Sequence, residues 1–207
     1  MKLIIFGATG TLGRHVVAQA LEQDHQVTAF ARNPSALNLA HPNLVCIRGD
    51  ALDKDAVANA VADHDAAVIT LGAGMKGTVR SVGSRHIIDA MERHGVRRLV
   101  CLSTLGAGDS HNNLNFFWKY IMFGLLLRKA MLDHEAQEAL VRSSSLDWII
   151  VRPAAFHDGP ATGLYKHGFP RSEKNLKLNV SRADVADFML KGLTNNAYLH
   201  QLPGLSY

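Results

Sequence analysis

MKLIIFGATGTLGRH, residues 1–15, is the stretch that decides the fold. Residues 3–6 are an apolar run that reads as a short buried strand. Gly7, Gly10 and Gly13 follow at three-residue spacing. Leu12, Val16, Val17, Ala20 and Leu21 then recur with helical period up to residue 23. Strand, glycine turn and helix in that order make a place to hold a phosphate. A turn without Cβ atoms lets backbone N–H groups approach a pyrophosphate, and the helix N-terminus adds partial positive charge. Thr9 and Thr11 add hydroxyl donors. The glycine spacing alone is common; the strand before it and the helix after it give it weight.

Working outward, apolar runs at 27–31, 44–47, 66–71, 98–102 and 148–151 read as further strands. Helical patterns fall at 53–62, with Asp53 as N-cap, at 79–94, with Gly95 as C-cap, and at about 130–142 and 182–193. Near-continuous apolar strands alternating with helices are buried on both faces. They predict an α/β fold: a Rossmann-like, doubly wound parallel sheet with its ligand beyond the carboxyl ends of the strands. The 207 residues fit a single domain, with 1–150 as the cofactor-binding core and 151–207 as a mostly substrate-side segment rich in Gly and Pro.

Bulk properties narrow the classes. The chain is 47% hydrophobic and 19% charged, with a formal charge of +4 and no basic tail or nucleic-acid motif. No apolar run is long enough for a membrane span, and residues 1–15 do not read as a signal peptide. Cys46 and Cys101 lie in separate strand-like runs and are expected as buried free thiols, which suits a reducing cytoplasm. No His or Cys spacing predicts a metal site. Residues 116–127, FFWKYIMFGLLL, allow three readings: a packed helix or lid, a dimer surface, or membrane association. Monomer and homodimer both remain open.

The end of the second strand selects the nucleotide. An acidic residue there would bond the ribose hydroxyls of NAD; this chain has Arg32, which can pair bidentately with a 2′-phosphate, so NADP is expected. Asp50 can accept from an adenine amino group or cap the next helix, and Leu52 can flank the ring. Leu71, Gly72, Ala73 and Gly74 would let the backbone pass close to a cofactor. Ser103 and Thr104 emerge near the expected nicotinamide, where a hydroxyl can bond a substrate carbonyl or a carboxamide, or only local backbone.

GATGTLG, Arg32, Gly49-Asp50, LGAG and CLST, in that order, resemble the atypical short-chain dehydrogenase/reductase superfamily and its NmrA-like NAD(P)-binding group. The segment DHEAQEALVRSSSLDWIIVRPAAFHDGPATG is similar to the biliverdin reductase B-like, NADPH-dependent flavin reductases, over nearly the whole chain. The resemblance implies a single NADP-binding domain with cofactor contacts at Gly7, Thr9, Gly10, Thr11, Leu12, Gly13, Arg32, Asp50, Leu71, Gly72 and Ser103. The backbone at Arg152, Pro153 and Ala154 would line the nicotinamide pocket.

The departures bear on the chemistry. Short-chain dehydrogenases pair Ser with Tyr-x-x-x-Lys, but here Tyr120 is followed four residues later by Gly124, and Lys119 and Lys166 merely adjoin Tyr120 and Tyr165. The pocket His of the flavin reductases aligns with Ala155; His157 either replaces it or is a loop His. His134 aligns with a family His and either faces the crevice or is structural. Ser103 with His157 or water is the catalytic expectation. The leading reading is NADPH-dependent hydride transfer to a small conjugated acceptor: a flavin, a quinone or a linear tetrapyrrole. The alternative is an NmrA-like redox sensor that binds NADP without turnover.

Overall fold

The computed structural model describes residues 1–72 and 77–207. Ala73 and Gly74, expected to crowd the cofactor, lie outside the described residues. The chain runs β1 (Lys2–Phe6), α1 (Gly13–Glu22), β2 (Gln26–Ala31), β3 (Leu44–Arg48), α2 (Lys54–Val61), β4 (Ala66–Ile69), α3 (Val79–His94) and β5 (Arg98–Leu102). A π-helical segment, Phe117–Leu126, precedes α4 (Arg128–Ser143) and β6 (Asp147–Pro153). Then follow β7 (Ala155–His157), β8 (Lys166–His167), β9 (Asn179–Ser181), α5 (Arg182–Thr194) and β10 (Gly204–Ser206).

The main sheet has the order β3-β2-β1-β4-β5-β6-β10-β8, parallel throughout except for the final β10–β8 pair. The chain steps outward from β1 to β3 and then, from β4, in the opposite direction. The switch between β1 and β4 opens a crevice at their carboxyl ends. Side chains of β1 alternate between two cores. Leu3 and Ile5 pack beneath α1 and α5; Ile4 and Phe6 pack beneath α2, α3 and α4. All four are fully buried, worth about 1.5–3 kcal/mol each. The expected doubly wound, single-domain α/β architecture is therefore observed.

Local signals account for the helix ends. Asp53 caps α2, its Oδ1 accepting from the Asp55 and Ala56 amides at 3.1 and 3.0 Å. Gly95 closes α3 with φ +71°, a left-handed conformation that glycine adopts without strain.

Two expectations fail. Cys46 is exposed, not buried, and Val45 beside it is 57% exposed. β3 is the outermost strand, bonded only to β2, so its apolar run is not covered on both faces. Cys101, in the central strand β5, is buried as expected, and desolvation pushes its thiol pKa up. The fourth strand ends at Ile69 rather than residue 71, because Thr70 turns back and bonds the Phe6 carbonyl through both its amide and Oγ1, each at 2.9 Å.

Candidate functional site

A cleft of about 610 Å³ opens along the carboxyl edge of the sheet. Of the residues singled out from the sequence, it gathers Gly7, Thr9, Gly10, Thr11, Leu12, Arg32, Asp50, Leu52, Leu71, Gly72, Ser103, Thr104, His134, Pro153 and Ala154. Gly13, Arg152 and His157 are not in its lining.

One wall is backbone. The Gly7 amide donates to the Phe30 carbonyl at 3.2 Å, and the Gly10 amide to the Gly7 carbonyl at 2.9 Å. Gly7 holds φ +81°, and a Cβ there would stand 2.7 Å from the Thr70 carbonyl oxygen. A Cβ on Gly13 would collide with the Gly7 carbonyl. Gly13 thus shapes the turn from behind rather than facing the cleft. Among the described residues the Thr11 and Leu12 amides donate to nothing, and α1 has no side-chain cap. An uncapped helix start with free amides is a receptor for an anion. Arg32 stands exposed at the rim, without an ion-pair partner among the described residues. Asp50 does not cap α2; its Oδ1 accepts from the Leu52 amide at 3.0 Å, leaving Oδ2 for a ligand.

The opposite wall is side chains. Trp118 and Phe123 from the π-helical segment meet Leu114, Leu127, Ala154 and Leu178. The segment divides by face. Trp118 and Phe123 look into the cleft, while Phe116, Leu125 and Leu126 are 71%, 74% and 58% exposed. The lid reading of residues 116–127 matches the inner face.

Behind this wall lies a buried ion-pair network. Arg152 Nε and Nη2 donate to Glu138 Oε1 and Oε2 at 2.8 and 2.6 Å, and Nη1 pairs with Asp109. Burial opposes the Arg152 charge, but these partners outweigh it and raise its pKa. Arg152 therefore serves the wall from behind; its side chain does not reach a ligand in the cleft. Ser103, 3% exposed, donates its hydroxyl to Glu138 Oε1 at 2.6 Å. A carboxylate only accepts, so that hydrogen is committed. Toward the cleft Ser103 can offer only an acceptor, which suits an N–H donor and not a carbonyl oxygen.

His157 corrects the catalytic expectation. It is exposed, its Nδ1 is 2.9 Å from the Asp158 carbonyl, and its ring packs 5.6 Å from that of Tyr207. Two residues of β7 carry it past the cleft, while Ala155 and Phe156 line it. His134 does reach the cleft. Burial, and then the Arg80 charge, push its pKa down to about 3 against the pull of Asp133, so the ring is neutral near pH 7. Its Nδ1 is sealed from solvent and has no partner.

Sequence reading has Trp118 and Phe123 only as members of the 116–127 segment, and does not single out Arg80 or Glu138. A charged residue at a helix position that faces the interior, as Glu138 does, was the one signal available for either of them. Among the described residues no His, Cys, Asp and Glu cluster can hold a metal, and no helix is long and apolar enough to cross a membrane.

Residues 7–196 match the family described as NAD(P)H-binding. A relative from Saccharomyces cerevisiae, UPF0659 protein YMR090W, is 30% identical over 206 residues, covering 93% of this chain and 87% of its own. The solved structure of ChuY, an anaerobillin reductase from Escherichia coli O157:H7, superposes with TM-score 0.83 at 27% identity, covering all of this chain and 97% of that one. A short-chain dehydrogenase/reductase from Veillonella parvula, solved with NADP, has TM-score 0.83 at 19% identity, covering all of this chain and 94% of its own. At that identity it speaks for the fold alone. With nearly its whole length matched and its glycine turn built as such a turn requires, the chain belongs to the NAD(P)H-binding family.

Proposed function

We propose that this chain is an NADPH-dependent reductase acting on a flat conjugated acceptor: a flavin, a quinone or a linear tetrapyrrole. The carrying observation is the cleft's two-sidedness. One wall presents free amides and a rim Arg; the other sets Ser103 and His134 among aromatic and apolar side chains, and its described lining contains no Tyr and no Lys. Tyr120 is 56% exposed, and Tyr165 donates to Asp187 at 2.9 Å, outside the lining. Reduction of a conjugated ring needs stacking and dryness more than a dedicated acid, because water can protonate the product.

The residues fit the cofactor. The Thr11 and Leu12 amides at the start of α1 receive the pyrophosphate, and Arg32 takes the 2′-phosphate. The free Oδ2 of Asp50 accepts from the adenine amino group. Ser103 accepts from the carboxamide N–H, with Glu138 holding its hydroxyl away. Bound NADPH supplies the hydride. Trp118, Phe123 and Phe156 stack the acceptor, and Leu114 and Leu178 exclude water. The proton comes from water, since His157 stands outside. ChuY, at 27% identity, is named a reductase, which supports this class. An exposed free Cys46 suits a cytoplasmic location.

The exposed outer face of residues 116–127 favours one other reading, a redox sensor that docks a partner. One experiment separates them. Purified protein is incubated with NADPH and FMN, biliverdin or dichlorophenolindophenol, and NADPH absorbance is followed. A reductase consumes NADPH with at least one acceptor. Tight NADP binding with no consumption across the panel would leave the sensor.

A further inference from the structure

We propose that Arg80, with His134 beside it, is an oxyanion receptor in the cleft, separate from the glycine turn. Arg80 lies in the first turn of α3 and lines the cleft, its side chain only 11% exposed. Among the described residues its Nε and Nη1 have no hydrogen-bond partner, and neither has His134 Nδ1. Asp133 is the nearest carboxylate, 3.6 Å from Nη1. That carboxylate is already engaged. It accepts from the Ser81 hydroxyl at 2.6 Å, the Ser81 amide at 3.0 Å and the Arg80 amide at 3.1 Å. Asp133 therefore caps α3 and, among the described residues, gives the guanidinium only a long ion pair at 3.6 Å.

A sequestered guanidinium with unsatisfied donors is costly in the free protein, and an incoming oxyanion relieves that cost. Each unpartnered N–H on this planar cation can donate a charge-assisted bond to an oxygen of a phosphate or carboxylate. The neutral His134 ring completes the pocket with a further polar nitrogen and adds no competing charge. The chemistry is fixed by these groups: one oxyanion, taken in the cleft where Arg80 and His134 line it. It can come from a cofactor phosphate or from an anionic substituent on the acceptor. The second source rests on the reductase reading; the first does not.

Binding measurements test this without turnover. Calorimetric titration with NADP+ reads the first source. The affinity ratio of FMN to riboflavin, read by flavin fluorescence, reads the second, since the two differ by a phosphate. In Arg80→Met, a tenfold or greater loss for NADP+, largely restored in Arg80→Lys, assigns the oxyanion to the cofactor. Unchanged NADP+ binding with a tenfold fall in the FMN-to-riboflavin ratio assigns it to the acceptor. The ligand-free variant should melt at the same or a higher temperature, because a mostly buried cation with unfilled donors has been removed while Asp133 keeps its bonds from Ser81. Unchanged binding of all three ligands in a folded Arg80→Met variant overturns the proposal. So does a lowered Tm, which would make Arg80 a structural partner of Asp133. Because no arm requires NADPH consumption, a failed acceptor panel leaves this result standing.

Discussion

The two walls of the cleft are built in opposite ways. The wall at Gly7–Gly13 is backbone: free amides, and glycines whose missing Cβ atoms let the turn close. Its parts are neighbours in sequence. The facing wall is side chains held by other side chains: Ser103 on Glu138, Glu138 on Arg152, Arg152 on Asp109, Ser81 on Asp133. These partners stand 14 to 52 residues apart. A backbone wall is tolerant of which side chains flank it and intolerant of any Cβ at its glycines. A side-chain wall fails when one member of a network is removed.

The largest expected effect breaks the side-chain wall. Glu138→Ala strands the Arg152 guanidinium in the interior with Asp109 as its remaining carboxylate. Breaking a buried pair costs about 3–5 kcal/mol, read as a fall in the denaturant midpoint at unchanged m value. Replacing both partners, Glu138→Met with Arg152→Leu, should recover most of that loss, because the penalty is an uncompensated charge and not a missing attraction. If the double variant is no more stable than Glu138→Ala, the network is not the source of the cost.

The backbone wall breaks differently. Gly13→Ala places a methyl against the Gly7 carbonyl, so the turn must open. The expected cost is about 2 kcal/mol of stability, with NADP+ affinity lost in the part that still folds. Trp118→Ala, on the facing wall, should leave NADP+ affinity within about twofold and raise the KM of a conjugated acceptor. Equal loss of NADP+ binding in both variants would dissolve the distinction between the walls.

Legibility in the sequence follows the same division. The glycine turn, the place of Arg32 at the cleft rim and the capping roles of Asp53 and Gly95 are readable because each follows from its immediate neighbours in the chain. The core strands were readable because β1, β4, β5 and β6 are covered on both faces. β3 misled for the converse reason: it is just as apolar, yet nothing in it announces that it lies at the sheet edge. β7 to β10 span two or three residues each, too few for a period to show. For His157 the sequence leaves a pocket His and a loop His both open, and only the course of β7 past the cleft decides for the second. Glu138 shows in the sequence only as a charge at an inward helix position, and its partners Arg152 and Ser103, like Asp133 for Arg80, lie 14 to 53 residues away, so spacing does not announce them.

Within the backbone wall, Arg32 is the one side chain asked to select. Arg32→Asp should weaken NADPH by about 10- to 100-fold, since charge-assisted bonds contribute about 1.5–3 kcal/mol, and should leave NADH nearly unchanged. Parallel titrations with the two nucleotides measure the ratio. Equal loss of both would mean that Arg32 does not read the 2′-phosphate, and NADP selectivity would have to come from elsewhere in the cleft.

The last test sharpens the comparison by titration. His134 belongs to the side-chain wall, and its folded pKa, about 3, lies below the ordinary His value of 6.5. The unfolded chain therefore binds a proton that the folded chain refuses. The sign follows from linkage: stability from this group is fully present above pH 6.5 and is lost as pH falls toward 3. Between those limits one proton contributes a slope of at most about 1.4 kcal/mol per pH unit. His134→Gln removes the titration but keeps a polar side chain, so unfolding curves between pH 6.5 and 4 should lose part of their slope. The backbone wall holds no such group, and Thr11→Ala should leave the slope as it was. A wild-type slope preserved in His134→Gln would place the acid sensitivity in other groups and leave His134 an ordinary, solvated imidazole.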